Sequence, residues 1–256
     1  MKEPIAEHRP SIRIERPSPH DQALLSVSGL NAYYGKAHIL FDVALDVRPG
    51  EVVVLMGRNG AGKSTTMKSI MNMMDRKDGE LRFAGRDISR LPSYRISQAG
   101  LGYVPEDRRI FTELTVLENL EVGRQPARDG AAPWSHDRLF EMFPNLGEMP
   151  GRLGGRMSGG EQQMLSIART LMGNPSLVLL DEPSEGIAPV IVEKIALTIQ
   201  RLKKQGVSIL LSEQNITFAE WVGDRAYVLE KGNIRFEGSM KDLIRNEEVR
   251  SAYLDL

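Results

Sequence analysis

A glycine-rich stretch between a strand pattern and a helix pattern constrains the fold more than any other part of the chain. Residues 57–65 read Gly-Arg-Asn-Gly-Ala-Gly-Lys-Ser-Thr and match the form G-x-x-x-x-G-K-[ST], the phosphate-binding P-loop. The apolar run Val52–Met56 precedes the loop, and a helical pattern over residues 65–74 follows it. This strand–loop–helix context is the one the motif requires, and it disfavours a glycine-rich turn that contains Lys-Ser by chance.

The residue types of this loop suit a nucleoside triphosphate. The backbone N–H groups of a glycine-rich curl point inward at phosphate oxygens, and a helix that starts near Lys63 directs its positive dipole end at the same anion. We expect Lys63 to reach the β- and γ-phosphates and Ser64 to offer its hydroxyl to Mg²⁺. Nucleotide contacts are therefore predicted for the whole motif: Gly57, Asn59, Gly60, Ala61, Gly62, Lys63, Ser64 and Thr65.

Composition excludes several other classes of protein. The chain has 256 residues and a formal net charge of −1, so no overall charge attracts it to nucleic acid or to an anionic membrane surface. It contains no cysteine, which excludes disulfides and thiolate metal sites. No apolar run approaches the ~18 residues of a membrane span, and no signal peptide is visible. If the protein acts at a membrane, we expect another chain to span it.

The order of patterns along the chain predicts its organisation. Residues 1–22 are rich in Pro, Arg, Glu and His and are expected to form a flexible tail, and residues 23–256 one nucleotide-binding domain. Strands are predicted from residue 24 and over residues 38–47, and a turn at residues 77–80. Residues 106–155 are helical in pattern and predict a helical subdomain inserted into an α/β core. One final helix is predicted over residues 240–253.

Tyr34 lies shortly before the strand that enters the P-loop. An aromatic ring at this point could stack on an adenine, by the face-to-face preference of aromatic–base contacts. It could equally be a tyrosine packed in a strand, and its spacing from the loop leaves both readings open.

A second stretch of the sequence also predicts a helix N-terminus that could bind phosphate. Ser158, Gly159 and Gly160 precede a strongly helical run that begins with Glu161. Ser158 is a favourable N-cap residue, and the two glycines let backbone N–H groups approach an anion closely. The alternative is an ordinary capped helix, which would not need this particular run of residues.

An apolar run that ends in two carboxylates predicts the remaining chemistry. Residues 177–180 are Leu, Val, Leu and Leu and predict a buried parallel strand, after which come Asp181 and Glu182. Sheets of α/β proteins place ligands at the C-terminal ends of their strands. Asp181 suits a direct or indirect partner of Mg²⁺, and Glu182 is placed to accept a proton from a water that attacks the γ-phosphate.

Together these motifs resemble those of the ATP-binding cassette (ABC) ATPases over residues 24–256. Kinases, GTPases and many other ATPases share the P-loop, whereas the Ser-Gly-Gly-Glu-Gln signature at residues 158–162, upstream of Asp181 and Glu182, is far more specific. The resemblance implies ATP and Mg²⁺ as ligands. It implies an α/β fold: a P-loop NTPase core of mostly parallel sheet flanked by helices, an N-terminal antiparallel β subdomain, and a helical subdomain inserted at about residues 106–172.

The resemblance also implies how the two helix starts are used. In this family two cassettes clamp ATP head to tail, so that the P-loop of one faces the signature of the other. It therefore assigns contacts with the other cassette's nucleotide to Ser158, Gly159, Gly160 and Glu161. It also favours Tyr34 as the aromatic residue that stacks on adenine.

Three positions depart from the usual family pattern. Where the family usually has a glutamine that contacts Mg²⁺, this chain has Glu106, an oxygen ligand that also suits Mg²⁺. Where the family usually has a histidine at the γ-phosphate, this chain has Gln214, whose amide can still donate a hydrogen bond. Ala188 stands where an aspartate is usual in the loop after Glu182.

At these positions and around them the chain resembles a narrower group within the family. The group is the ATPases of branched-chain amino-acid importers and their close relatives that serve urea or short amides. The likeness is carried by residues 104–111, 184–189, 213–215 and 249–254. It implies a peripheral subunit on the cytoplasmic face of a bacterial inner membrane. The implied partners are a second ABC ATPase subunit, alike or different, two integral-membrane permeases and, indirectly, a periplasmic substrate-binding protein.

The sequence disfavours two other functions. A soluble cassette ATPase that acts on nucleic acid or in cofactor assembly is disfavoured by the single cassette and the absence of a basic domain, so no nucleic-acid partner is expected. A regulatory protein without ATPase activity is disfavoured because Lys63, Ser64, Asp181 and Glu182 are all present.

Overall fold

The structure, a computed structural model, describes residues 23–127 and 132–254, in which there are ten strands, ten α-helices and one 3₁₀ helix at Gly154–Arg156. The tail predicted over residues 1–22 lies outside these residues. The strands are β1 Leu25–Tyr34, β2 Ala37–Val47, β3 Val52–Met56, β4 Arg76–Phe83, β5 Arg86–Asp87, β6 Leu101–Val104, β7 Leu177–Asp181, β8 Ser208–Glu213, β9 Arg225–Glu230 and β10 Asn233–Ser239. The helices are α1 Lys63–Ile70, α2 Ser93–Ala99, α3 Val116–Val122, α4 His136–Met142, α5 Pro144–Gly147, α6 Gly159–Leu171, α7 Pro189–Lys204, α8 Ile216–Val222, α9 Met240–Arg245 and α10 Glu247–Tyr253.

The strands form two sheets. The larger has the order β10-β9-β3-β8-β7-β6, in which β10 is antiparallel and all other neighbours are parallel. The smaller has the order β2-β1-β4-β5 and is antiparallel throughout. The predicted α/β fold, with its mostly parallel core and N-terminal antiparallel sheet, is therefore confirmed.

The central strands are buried because both faces of the larger sheet carry an apolar layer. All residues of β3 and β7 are buried. Val178 and Leu180 point into one hydrophobic cluster, and Leu177 and Leu179 into the other. This alternation is the two-residue period of a strand, and burial on both faces explains why the run is apolar without interruption.

The helices between residues 106 and 172 pack on one of these layers. Val116 and Leu120 of α3 and Leu165 of α6 share a buried cluster with Val178 and Leu180. Helices do occupy this range, from Val116 onward, while the residues from the end of β6 to α3 are irregular. Its description as an inserted subdomain stays a prediction.

The predicted turn at residues 77–80 is wrong, because these residues lie within β4. Asp78 pairs with Asn31 and Glu80 with Ser28 of β1, and the register shifts between the two pairs. A Cβ on Gly79, whose φ is 117°, would stand 2.7 Å from the carbonyl oxygen of Gly29. The Asp-Gly pair therefore lies in a continuous strand, opposite a bulge of β1 in which Gly29 and Leu30 face Gly79, rather than at a chain reversal.

The prediction of a single final helix is also wrong, because this segment forms two helices, α9 and α10, that are separated at Asn246. This residue has φ −87° and ψ 84°, and its Oδ1 accepts a hydrogen bond from the Val249 N–H at 3.0 Å. An asparagine side chain that caps a following helix ends the preceding one. Among the described residues, no helix has both the length and the apolar character needed to cross a membrane.

Candidate functional site

The P-loop leaves the C-terminal end of β3 and enters α1 through two glycines that no other residue could replace without rearrangement. A Cβ on Gly57 would collide with the Leu229 carbonyl oxygen. A Cβ on Gly62, whose φ is 111°, would stand 2.7 Å from Leu40 Cδ2. The turn therefore depends on glycine for both its backbone conformation and the space around it.

Helix α1 begins without a side-chain cap. Gly62 at its N-cap has no side chain that could accept a hydrogen bond from the first N–H groups, and the first turn of the helix contains no acidic residue. The first N–H groups of a helix have no partner within the helix, and the helix dipole adds positive potential at the same end. The start of α1 is thus suited to an anion from outside the helix.

A recess of about 330 Å³ opens at this helix start. It brings together the P-loop, Glu106 and Glu182, which the sequence predicted to act together, and Ile39 of β2, which it did not. An isolated apolar residue in a strand pattern carries no signal for such a role. The lining residues are Ile39, Asn59, Gly60, Gly62, Lys63, Ser64, Thr65, Glu106 and Glu182.

Lys63 and Glu182 form a buried ion pair in the recess. Lys63 Nζ lies 2.9 Å from Glu182 Oε1, and the two side chains are 3% and 7% exposed. The ammonium also donates to the carbonyl oxygen of Gly57 at 2.7 Å. Burial of this kind is costly unless the charges are paired, so each of these side chains requires a partner of opposite charge.

Gln214 reaches the same carboxylate from the end of β8. Its Nε2 donates to Glu182 Oε2 at 3.0 Å and to Asn59 Oδ1 at 2.7 Å. The two residues predicted to be catalytic, Glu182 and Gln214, are therefore in direct contact beside the P-loop.

The carboxylates around Glu182 differ in their affinity for protons. Burial raises the pKa of Glu182, but hydrogen bonds from Glu185 and Lys63 and the charge of Lys63 outweigh this effect, so the pKa lies below its ordinary value. A hydrogen bond to Glu182, burial and the negative charges of Glu182 and Glu106 raise the pKa of Glu185 to about 7. Glu185 can therefore hold a proton near neutral pH, which nothing in its sequence context predicted.

Asp181, the predicted metal ligand, is the last residue of β7 and directly precedes Glu182. Its Oδ1 accepts hydrogen bonds from Ser64 Oγ at 3.0 Å and Ser212 Oγ at 2.7 Å, and its Oδ2 accepts one from the Tyr103 hydroxyl at 3.1 Å. The sequence did not predict that Ser212 and Tyr103 contact Asp181. The one signal for Ser212 is its position at the end of a buried strand that neighbours β7.

This donor set fits Mg²⁺ in part. The Ser64 hydroxyl, Asp181 and Glu106 offer the hard oxygen ligands that Mg²⁺ prefers. Within residues 23–127 and 132–254, no group of three or more His, Asp or Glu side chains is arranged to hold a metal ion. An Mg²⁺ site here would therefore need oxygens of a phosphate and of water as well, as is usual for this ion.

The signature residues stand apart from the recess. Ser158 Oγ accepts from the Glu161 N–H at 3.3 Å, and Glu161 Oε2 accepts from the Ser158 N–H at 2.7 Å, which is a capping box. A Cβ on Gly160 would stand 2.9 Å from Ile191 of α7. Ser158, Gly159, Gly160 and Glu161 are not among the residues that line the recess, so the structure does not bring them to the chain's own P-loop.

Tyr34 also lies outside the lining of the recess. It ends β1 beside the turn to β2, and 50% of its surface is exposed. It is therefore not the packed strand residue of the alternative reading, and its contact with adenine stays a prediction.

Comparison with known proteins agrees with this geometry. The family model for ABC transporters matches residues 40–185. The high-affinity branched-chain amino acid transport ATP-binding protein BraG of Pseudomonas aeruginosa is 43% identical, over 90% of this chain and 99% of its own length. The lipopolysaccharide export system ATP-binding protein LptB of Haemophilus influenzae is 35% identical, over 91% of this chain and 97% of its own length.

The fold agrees with solved structures as well. An ATP-binding cassette of an ABC transporter in its ADP conformation superposes with a TM-score of 0.75 at 26% identity. The alignment covers 90% of this chain and 97% of that cassette. With the P-loop, the carboxylates after β7 and the capped signature helix in place, the chain is an ATP-binding cassette ATPase of the ABC transporter family.

Proposed function

We propose that this chain is the ATP-hydrolysing subunit of an importer for branched-chain amino acids. The proposal is supported by the 43% identity with BraG over nearly the full length of both chains. The likeness to the lipopolysaccharide export protein LptB is lower, at 35% identity. The difference favours amino-acid import over lipid export.

The triphosphate of ATP would lie on the P-loop at the start of α1. Backbone N–H groups of residues 57–65 and the Lys63 ammonium would hold the phosphates, and Tyr34 would stack on the adenine. Lys63 would exchange part of its contact with Glu182 for the phosphate oxygens. Ser64, Asp181 and Glu106 would hold Mg²⁺, and bound Mg²⁺ supplies positive charge against the β- and γ-phosphate oxygens.

Glu182 is the proposed general base. Its pKa lies below the ordinary value, so the carboxylate is ionised at neutral pH and can take a proton from water. Lys63 is paired with this carboxylate. Binding of phosphate would draw the ammonium away and leave the carboxylate available.

Gln214 is the proposed hydrogen-bond donor to the γ-phosphate. Its Nε2 already donates to both Asn59 Oδ1 and Glu182 Oε2, two side chains that line the recess. A neutral amide does not titrate near neutral pH, so it would donate equally well across the physiological range.

The transporter would contain further chains. The signature residues 158–161 would contact the nucleotide held by the P-loop of a second cassette subunit, either a second copy or a similar chain. Two permeases would span the membrane, the cassettes would lie on its cytoplasmic face, and a periplasmic binding protein would deliver the substrate.

The contact of Glu182 with both Lys63 and Gln214 is the observation that carries the hydrolytic mechanism. Glu182→Gln keeps the shape of the side chain but cannot accept the proton. We expect kcat for ATP hydrolysis to fall by about 10²- to 10⁴-fold while ATP still binds. Single-turnover hydrolysis and calorimetric ATP titration of the same protein measure the two effects. Near-normal turnover in this variant would assign the base to another residue.

Substrate class is tested by uptake in cells. A strain that lacks the chain should lose uptake of labelled leucine, isoleucine and valine, and the wild-type chain should restore it whereas Glu182→Gln should not. Uptake of labelled urea and acetamide is measured in the same strains for comparison. Loss of urea or amide uptake with normal leucine uptake would favour the alternative substrates and contradict the proposal.

A further inference from the structure

One buried carboxylate joins the two loops that carry the proposed catalytic side chains. Glu213, at the end of β8, is 3% exposed. Its Oε1 accepts hydrogen bonds from Ser184 Oγ at 2.5 Å and from the Ser184 N–H at 3.2 Å. Its Oε2 accepts from the N–H groups of Gln214 at 3.0 Å and Asn215 at 3.2 Å. All four donors belong to the irregular segments that follow β7 and β8.

These two segments determine where the proposed catalytic groups meet. Glu182 lies two residues before Ser184 in a left-handed backbone conformation, with φ 47°. Gln214 directly follows Glu213, and its Nε2 reaches Glu182 Oε2 at 3.0 Å. Any change in the spacing of the two segments would therefore change this contact between side chains.

We propose that Glu213 is a positioning residue, which holds Gln214 in register with Glu182 by clamping the segment after β7 to the segment after β8. This inference rests on the hydrolytic roles proposed for Gln214 and Glu182. Glu213 itself does not line the recess, so it would act through Gln214 rather than on the nucleotide.

The four donors explain why a carboxylate occupies this position. A carboxylate has acceptor sites on both oxygens and can satisfy a pair of donors on each side. A glutamine has one oxygen, so its NH₂ group would face either the Ser184 N–H or the N–H groups of Gln214 and Asn215. Glu213→Gln is therefore nearly isosteric but must break the clamp on one side. Burial raises the pKa of Glu213, and the hydrogen bonds from Ser184, Asn215 and Gln214 oppose that shift.

The first test measures the position of Gln214 directly. In ¹⁵N-labelled protein, the side-chain amide resonances of Gln214 are identified by their loss in Gln214→Ala. We expect Glu213→Gln and Ser184→Ala to shift or broaden these resonances, because each removes part of the clamp. Glu220→Gln, an exposed change of the same kind on α8, is the control and should leave them unmoved. Unchanged Gln214 resonances in Glu213→Gln would overturn the proposal.

The second test is a double-mutant cycle on hydrolysis by the assembled transporter. We expect Glu213→Gln to lower kcat by about 10-fold, with KM for ATP changed by less than about 2-fold, because the P-loop is untouched. In a Gln214→Ala background the same substitution should change kcat by less than about 2-fold, because residues that act as a unit are not additive. An equal loss in both backgrounds would mean that Glu213 serves folding alone, which contradicts the proposal.

The two tests separate this inference from the proposed function. If Gln214→Ala retained full kcat, Gln214 would be removed from the proposed chemistry. The amide resonances would still decide whether Glu213 positions Gln214. Moved resonances would retain Glu213 as a positioning residue, and unmoved resonances would reject it.

Discussion

Helices α1 and α6 both begin in glycine-rich sequence, yet their N-termini are satisfied in different ways. At α1 the N-cap is Gly62, no side chain caps the helix, and the first turn has no acidic residue. At α6, Ser158 and Glu161 form a reciprocal capping box. Glycine content is therefore a poor guide to an open helix start. A serine at the N-cap with a glutamate three residues later decides that the helix satisfies itself.

The difference bears on where phosphate can bind within one chain. The start of α1 adds a buried ammonium, Lys63, to its unpartnered N–H groups. The start of α6 adds a carboxylate, Glu161, which repels an anion. A phosphate that approaches α6 meets a carboxylate at the N-cap itself, whereas one that approaches α1 meets the uncapped helix start and Lys63, and competes with Glu182 for the ammonium.

The largest effect is expected at α1. Lys63→Ala removes the ammonium over the phosphates, and charge-assisted hydrogen bonds of this kind contribute about 1.5–3 kcal/mol each. We expect ATP affinity to fall by at least about 100-fold in calorimetric titration with Mg²⁺ present. Lys68→Ala, in the last turn of the same helix, is the control and should retain affinity. Equal affinities in the two variants would contradict the assignment of phosphate binding to α1.

Local patterns predicted the parts of this site that depend on neighbours in sequence. The P-loop, the buried strands β3 and β7, and the N-cap role of Ser158 follow from residue type and short spacing, and the structure has them. The wrong turn at residues 77–80 shows the limit of such signals. A Cβ on Gly79 would collide with the backbone of β1, which bulges opposite it, and sequence pattern alone cannot tell a glycine of this kind from one in a turn.

Contacts between strand ends could not be predicted in the same way. Ser212 and Tyr103 meet Asp181 because β8 and β6 flank β7 in the sheet. The order of parallel strands depends on tertiary packing, which no short window of sequence contains. The contact of Glu213 with Ser184 was unpredictable for the same reason, since Ser184 lies in the segment that follows another strand.

A smaller effect is expected from the cap of α6. Ser158→Ala should lower the free energy of unfolding by about 1 kcal/mol, measured by denaturant titration. Thr115→Ala is a matched control, because Thr115 and Glu118 form the same capping box at α3. Both variants should lose similar stability, and Ser158→Ala alone should lower ATP hydrolysis by the assembled transporter. An equal loss of hydrolysis in Thr115→Ala would mean that Ser158 supports hydrolysis only by stabilising its helix, and not by contacting the nucleotide.

Glu185, near the start of α1, should make the stability of the protein depend on pH near neutrality. The pKa of Glu185 is raised from its ordinary 4.5 to about 7, so the folded state binds more protons than the unfolded state between these values. Stability should therefore fall as pH rises through this window. The charged groups that face Glu185 are Glu182, Glu106 and Lys63.

Glu185→Gln measures this dependence, because it removes the titration of Glu185 and keeps a side chain that can donate a hydrogen bond to Glu182. Unfolding free energies at several pH values between 4.5 and 7 should show a shallower slope in the variant than in the wild type. Since Glu185 is exposed and solvent screens its charge, we expect an effect below that of the lost cap. Identical slopes would mean that Glu185 holds no extra proton in the folded state.

The smallest effect tests whether the capping carboxylate of α6 opposes phosphate. Glu161→Gln keeps an oxygen for the Ser158 N–H, because glutamine also serves in a capping box, but removes the negative charge. A charge at a helix N-terminus contributes about 0.3–1 kcal/mol. ATP affinity of the assembled transporter, with hydrolysis blocked by Glu182→Gln, should therefore rise by about 2- to 5-fold. Glu118→Gln, which makes the same change in the capping box of α3, should leave affinity unchanged. If Glu161→Gln left affinity unchanged or lowered it, the carboxylate would not oppose the anion, and the contrast between the two helix starts would reduce to the presence of Lys63.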